Sequence, residues 1–237
     1  MSFNIRHGLG LDGRLNLDRA AVLINSESPD LCALQEIDDK CHRSGRLAQT
    51  AFLSEHCSLQ GVFGKFMDFD GGEYGMASLS SVPVLSSTVL NLPRAILEPR
   101  STIVQTVNLL ENDPILFANV HFDWLEGTEG DINRLLQAKT LVEYIDSLGL
   151  ATVIAGDFNC GPSSNVMAYL QEQGFVFVEK GLDNLSFQGK TKAEIDHLVY
   201  RNSRKIKFNI ESVTLLEEPT VSDHRPLVVV LNYQNVP

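Results

Sequence analysis

The run Ala151-Thr-Val-Ile-Ala-Gly-Asp-Phe-Asn159 decides the reading of this sequence. Small and β-branched residues from Ala151 to Ala155 make a strand-like stretch, and Gly156 hands it on to Asp157, Phe158 and Asn159. One strand closing on an acid says little, because Asp favours turns. The pattern recurs, however. Phe3 is followed by Asn4, Ala33-Leu34-Gln35 by Glu36, and Phe117-Ala118-Asn119-Val120 by His121. Ala193-Glu194-Ile195 leads to Asp196, and Val221-Ser222 leads to Asp223-His224. Neighbouring strand ends share one rim of a sheet, so these amides, acids and imidazoles are expected to converge.

The rest of the chain supplies the frame. Further strand-like runs are Asp30 to Glu36, Ser101 to Leu110, Ile115 to Phe122, Ile195 to Tyr200, Phe208 to Leu216 and Pro226 to Asn232, with Met1 to Asn4 as a very short one. Leu15 to Asn25, Ile132 to Leu148 and Pro162 to Gln173 carry apolar residues at helical spacing, and Arg46 to His56 carries a weaker version. Helices set between pairs of strands predict two sheets packed face to face with helices outside. Gly71-Gly72 and Gly161-Pro162 mark turns, and no linker or repeat divides the chain, so residues 1–237 read as one domain.

Composition narrows the class. The 237 residues hold 19 Lys and Arg against 30 Asp and Glu, a net charge of −11, with 43% apolar residues. This is a globular balance rather than a disordered or fibrous one. No run reaches the roughly 18 apolar residues of a membrane helix. No basic stretch followed by an apolar one opens the chain, so the expected location is the cytoplasm if the amino terminus is complete, and export otherwise. Net acidity disfavours nucleic acid and anionic membranes as partners, although a divalent cation reverses the sign locally. Cys32, Cys41, Cys57 and Cys160 form no CxxC pair, and Cys32 reads as a buried thiol.

The residues at the strand ends suit metal-assisted hydrolysis. Carboxylates bind a hard cation through oxygen, and a carboxylate base takes a proton from water. His and Asn donate to charge developing on a phosphoryl group. Without a thiolate or multi-His cluster, Mg²⁺ or Mn²⁺ is favoured over zinc.

Asn4-Ile-Arg6, Leu34-Gln-Glu36, Gly156-Asp-Phe-Asn159, Ile195-Asp-His197 and Ser222-Asp-His-Arg-Pro226 resemble, in order, the motifs of the endonuclease/exonuclease/phosphatase superfamily. That group includes deoxyribonucleases, sphingomyelinases and inositol polyphosphate 5-phosphatases. The resemblance implies a four-layered α/β/β/α sandwich of two mixed, mainly antiparallel sheets. It implies that Glu36 is the main ligand of Mg²⁺ or Mn²⁺, with Asn4 and Asp223 beside the ion. Asp157 would position or deprotonate water, Asn159 would hold a phosphoryl oxygen, and His224 would stabilise the transition state with Asp196 behind it. His121 would contact phosphate or protonate the leaving oxygen. Arg6 stands where some abasic-site nucleases carry an acid, which weakens the case for a second strong metal site.

Softer expectations follow. Glu73 to Ser78 resembles the strand that runs beside the active site in small bacterial members, with Glu73 or Tyr74 as candidates for facing His121; Arg100, Tyr74 and Trp124 are candidates for contact with substrate, and the loop Lys40 to Arg46 for touching it. Asp157 and Asn159 could instead cap the helix after Pro162, Trp124 could be a plain rim aromatic, and Arg134 and Gln137 could buttress the His121 loop or face water. His197 points away from Asp196 and is expected to pack, His56 to lie on a surface helix, and Arg201 to Lys207 to form a hairpin or edge strand. The chain is expected to be a monomeric, Mg²⁺- or Mn²⁺-dependent phosphoesterase acting by in-line water attack on a phosphodiester or phosphomonoester, small or lipid-linked. A DNA or RNA nuclease is the alternative, since it shares every catalytic residue, and a non-catalytic scaffold ranks last.

Overall fold

Residues 1–93, 97–109, 114–218 and 220–236 are described by a computed structural model. In chain order the elements are β1 (Ser2–Asn4), α1 (Asp18–Glu27), β2 (Leu31–Asp39), α2 (Gln49–Cys57), β3 (Gln60–Phe69), β4 (Gly72–Ser80), β5 (Val84–Leu92), β6 (Arg100–Asn108), β7 (Pro114–His121), α3 (Gly127–Leu148), β8 (Thr152–Asp157), α4 (Asn165–Glu172), β9 (Val176–Phe177), β10 (Asp196–Arg201), β11 (Ile206–Leu215) and β12 (Leu227–Asn235). One sheet has the order β11-β12-β1-β2-β4-β3 and the other β5-β6-β7-β8-β10-β9. Both are mixed, because β1 runs parallel to β2 and β7 parallel to β8 while their other neighbours are antiparallel.

Side-chain alternation along each strand separates the layers. Cys32 and Leu34 of β2 pack under Ala20, Ile24 and Leu53 of the first two helices. Leu116, Ala118 and Val120 of β7 and Ile154 of β8 pack under Leu141, Ile145, Val166 and Leu170 of the last two. The alternate residues Ala33, Phe117, Val153, Ala155 and Leu198 meet between the sheets, with Phe208 and Leu227. Each fully buried large side chain contributes roughly 1.5–3 kcal/mol. The result is the four-layered α/β/β/α sandwich.

Parity also aims the chemistry. Asn119 and His121 share the inter-sheet face of β7 with Phe117, Asp157 shares that of β8 with Ala155, and Asp196 shares that of β10 with Leu198. Gly156 is needed one residue earlier, since a Cβ there would lie 1.9 Å from the Val120 carbonyl oxygen. A polar bridge crosses the layer just behind. Gln35 Nε2 donates to Asn119 Oδ1 at 2.8 Å, and Asn119 Nδ2 donates to the carbonyls of Leu34 and Ala77 at 3.1 and 2.8 Å.

Several expectations need correction. Asp196 opens β10 and Asp223-His224 precede β12, rather than ending strands. They reach the same rim because β10 runs antiparallel to β8 and β12 antiparallel to β1. Arg201 to Lys207 is no hairpin, because β10 and β11 belong to different sheets, although β11 is an edge strand. Asp157 and Asn159 do not cap α4; the hydroxyl of Ser164 does, accepting from Met167 N. Leu110 lies outside the described residues. β3, β5 and β9 had no counterpart among the expected strands. All four cysteines are free and buried.

Candidate active site

Strand register places three chemical groups side by side. His121 pairs across to Asp157, and Asp157 pairs across to Asp196. His224 comes over from the other sheet's side. Its Nδ1 lies 2.8 Å from Asp196 Oδ2 and its Nε2 lies 3.8 Å from Asp157 Oδ2, while His121 Nε2 lies 3.6 Å from that same oxygen.

Glu36 arrives by a different route. β2 has a register shift between Gln35 and Ile37, and Glu36 is the extra residue, with φ 57°. Such a bulge re-aims a side chain, and a left-handed φ at a non-glycine residue carries strain of about 1–3 kcal/mol. Asn4 Nδ2 donates to Glu36 Oε1 at 3.0 Å and to Asp157 Oδ2 at 3.2 Å. Asn4 Oδ1 is taken by the Arg6 backbone N–H at 3.1 Å. Ser222 Oγ donates to the Asn4 carbonyl at 2.7 Å, tying the Asp223-His224 segment to β1. Asn159 N donates to Asp157 Oδ1 at 2.9 Å and Asn159 Nδ2 to the Phe122 carbonyl at 3.0 Å.

These contacts set protonation. Burial, then the Asp196 charge, pushes the Asp157 carboxyl up to about 7 against the pull of His224. Burial alone would lower the His224 imidazole, but Asp196, with Asp157 and Glu36, outweighs it and raises the group to about 10. Burial would likewise raise Asp196, and the His224 cation instead holds it below the usual carboxylate range. His224 is therefore an imidazolium leaning on a carboxylate. Burial, with the cations Arg100 and His224 nearby, drives His121 well below the usual histidine range and keeps it neutral. Burial raises Glu36, and Asp223 adds repulsion to it.

A cleft of about 470 Å³ opens onto this cluster. Glu36, Asp157, Asn159, Asp223, His121 and His224 line it, as do Tyr74, Arg100 and Trp124. Asn4 and Asp196 lie one layer behind, bonded to the residues that face the space. Asp157, Asp196 and His224 come within 4.8 Å of one another, a spacing that could hold a metal ion. Yet the His224 cation already compensates those two acids. The carboxyls of Glu36 and Asp223 face the open cleft, and a hard cation there would relieve the burial and repulsion that raise Glu36. The donor set thus fits an oxygen-bound divalent ion.

The Phe66 ring packs against both Tyr74 and His121, 5.7 Å from one centroid and 6.0 Å from the other. Glu73 turns the other way and pairs with Lys65 at 2.7 Å. The Lys40 to Arg46 loop does reach the cleft, through Arg43. Its Nε and Nη2 donate to the buried Asp38 at 2.9 and 2.7 Å, and its guanidinium stands 4.5 Å from the Phe69 ring centre. Trp124 is 45% exposed at the rim. Arg134 and Gln137 do buttress: Arg134 Nη1 donates to the carbonyls of Asp123 and Leu125, both at 2.8 Å, and Gln137 Oε1 accepts from Asp123 N at 2.9 Å. His56 lies on the exposed face of α2, stacked on Phe52.

Met67, Phe69 and Phe187 also wall the cleft, and sequence reasoning missed them. The first two sit on β3. Phe187 lies in an irregular segment and leans on the His224 ring at 4.9 Å between centroids. Only an aromatic near the acids in space would have signalled it, and spacing along the chain does not show that.

The Endonuclease/Exonuclease/phosphatase family model matches residues 1–224. No curated protein sequence matches the chain. Among solved structures, an endonuclease/exonuclease/phosphatase from Beutenbergia cavernae superposes with a TM-score of 0.82 at 18% identity, covering 97% of this chain and 70% of that one. The mannosyl-6-phosphatase Bt3783 of Bacteroides thetaiotaomicron gives 0.75 at 19% identity, with 98% of each chain covered. The human Nocturnin catalytic domain with bound sulfate gives 0.74 at 19% identity, covering 98% of this chain and 93% of that one. At these identities the structures share the fold, and the family match spans the motif residues from Asn4 to His224. The chain belongs to the endonuclease/exonuclease/phosphatase family.

Proposed function

We propose that this protein is a Mg²⁺- or Mn²⁺-dependent phosphoesterase that hydrolyses a phosphodiester or phosphomonoester of a small or lipid-linked substrate by in-line attack of water. The observation that carries the reading is the Asn4 amide, which holds Glu36 and Asp157 together beside the His224 cation at an open cleft. Glu36 and Asp223 would hold the ion, which when bound supplies positive charge to the phosphoryl oxygens. Asp157, with its carboxyl near 7, takes the proton from the attacking water close to neutral pH. Asn159 and the His224 cation donate to the non-bridging oxygens as charge grows on them. His121 is neutral and so donates an N–H hydrogen bond to the phosphoryl or leaving oxygen rather than a full proton. Arg100 adds a buried cation at the cleft, and Tyr74 and Trp124 give the leaving group aromatic faces.

A small substrate is favoured over a nucleic acid by where the basic run lies. Along β10 the chain travels from Asp196, beside Asp157, to Arg201, beside Thr152. At 3.3 Å per residue, Arg201 to Lys207 begins about 16 Å from the site, at the far end of the strand. The mannosyl-6-phosphatase of the same fold supports a phosphomonoester.

The test is hydrolysis of p-nitrophenyl phosphate and bis(p-nitrophenyl) phosphate, with Mg²⁺, Mn²⁺ or EDTA. Hydrolysis that needs the metal and disappears in Asp157→Ala is expected. Silence with every divalent ion, or an unaltered Asp157→Ala rate, rejects the reading. Cleavage of oligonucleotides alone, with a steep salt dependence, would favour the nuclease instead.

A further inference from the structure

We infer that Lys180 is a positioning residue for this site, acting through the tautomer it imposes on His197. The inference rests on the catalytic reading of Asp157, Asn159 and Asp196 above.

Lys180 sits behind the reaction centre, on the helix side of the second sheet. Its side chain has no solvent exposure, and its Nζ lies 2.7 Å from Glu194 Oε1 and 2.9 Å from His197 Nδ1. A lysine ammonium only donates, so His197 Nδ1 must accept. The imidazole proton is then on Nε2, which stands 2.8 Å from the carbonyl oxygen of Cys160 and donates to it. Burial, with the Lys180 charge beside it, takes His197 down to about 3, so the ring stays neutral. The rings of Phe158 and Phe177 flank it at 5.5 and 5.3 Å.

The connections are what matter. Cys160 directly follows Asn159, and Glu194 comes two residues before Asp196. One ammonium therefore clamps the approach to Asp196 through Glu194 and, through His197, the turn that carries Asp157 and Asn159. The backbone of that turn is demanding, since Asn159 holds φ 51°. If His197 lost its donor, the ring could take the other tautomer. The Cys160 carbonyl would then face a lone pair instead of an N–H, and the turn would lose its tie.

Lys180→Met alone leaves Glu194 unpaired and risks the fold, so the informative variant is Lys180→Met/Glu194→Gln, which removes both charges. Three quantities are read: the urea midpoint, kcat and KM on p-nitrophenyl phosphate, and the His197 tautomer from long-range ¹H–¹⁵N imidazole spectra. The expected result is a midpoint near wild type, kcat at least tenfold lower with KM within about twofold, and loss of the pure Nε2–H pattern that wild type shows. Wild-type kcat in the double variant overturns the inference, as does a lower kcat with the Nε2–H tautomer intact. If the double variant does not fold, His197→Gln, which keeps a donor and an acceptor, is compared with His197→Leu, which keeps neither. Equal kcat in these two overturns the inference, and at least tenfold lower kcat in His197→Leu supports it. A wild-type protein that hydrolyses nothing rejects the phosphoesterase reading itself, and the inference falls with it.

Discussion

The Asn4 side-chain amide stands between the carboxyls of Glu36 and Asp157, 3.0 Å from one and 3.2 Å from the other. Because its oxygen is held by the Arg6 backbone N–H, the nitrogen has to face the two acids. Asn4 thus joins one residue from each sheet with a single NH₂ group. Asn4→Ala is expected to free both carboxyls, weaken Mg²⁺ binding and lower kcat by about 10²-fold, within the range of a misplaced general base. Asn4→Asp adds a third acid and should be worse still. Calorimetric Mg²⁺ titration beside steady-state rates checks both; an Asn4→Ala protein of normal rate would contradict the arrangement.

Metal should stabilise the fold. An ion that binds only the native state adds about 2.7 kcal/mol at a hundred times its dissociation constant. A melting temperature that rises with Mg²⁺ or Mn²⁺, and falls back with EDTA, is the expected outcome. Glu36→Gln should abolish most of that rise while melting near or above metal-free wild type, since it removes a half-buried carboxyl whose charge is already disfavoured. A full metal-induced rise in Glu36→Gln would place the ion elsewhere.

Two limbs are expected in the pH–rate profile. Asp157 must be ionised to act as a base, and its carboxyl is raised to about 7, so at low metal the rate should fall below that pH. More metal adds positive charge nearby and should carry this limb downward. His224 must be charged, and it is raised to about 10, so the alkaline limb should lie there and move to lower pH in Asp196→Asn. The stability sign agrees. A histidine whose folded value exceeds its ordinary 6.5 contributes fully below 6.5 and loses that contribution as pH rises through about 10. Urea unfolding between pH 6 and 11 should show the decline, and Asp196→Asn should show it earlier.

Asn119 should matter for stability more than for chemistry. Its side chain accepts from Gln35 and donates to the carbonyls of Leu34 and Ala77, all inside the inter-sheet layer. Asn119→Ala leaves the buried Gln35 amide without its acceptor and takes a second donor from two carbonyls already in the β2–β4 ladder, so a loss of about 1–3 kcal/mol is expected by urea unfolding. A loss under 1 kcal/mol would mean that water replaces the amide.

Much of the fold was legible because most inner strands announce themselves. β7 and β8 are near-continuous apolar runs that close on His121 and Asp157, so these two residues were expected at one rim. β3 was not legible: Gly61 and Gly64 interrupt it and Lys65 breaks its alternation, so Met67 and Phe69 were lost with it. β5 mixes Ser86, Ser87 and Thr88 into an edge strand and reads as polar. The motifs named Glu36, but nothing along the chain showed that a bulge delivers it. Arg43 was visible only as part of a polar loop, because its partner Asp38 and its aromatic bed come together through strand pairing.

The division of the site between the two sheets has a kinetic meaning. Asn4 and Glu36 ride on strands of the first sheet, while His121, Asp157 and Asp196 ride on the second, whose strands occupy an unbroken stretch of chain from Val84 to Arg201. That stretch can pair its own hydrogen-bond ladder before meeting its counterpart. During refolding, circular dichroism should therefore recover ahead of turnover, which waits for the halves to dock. Turnover then becomes a stopwatch for the last step of assembly.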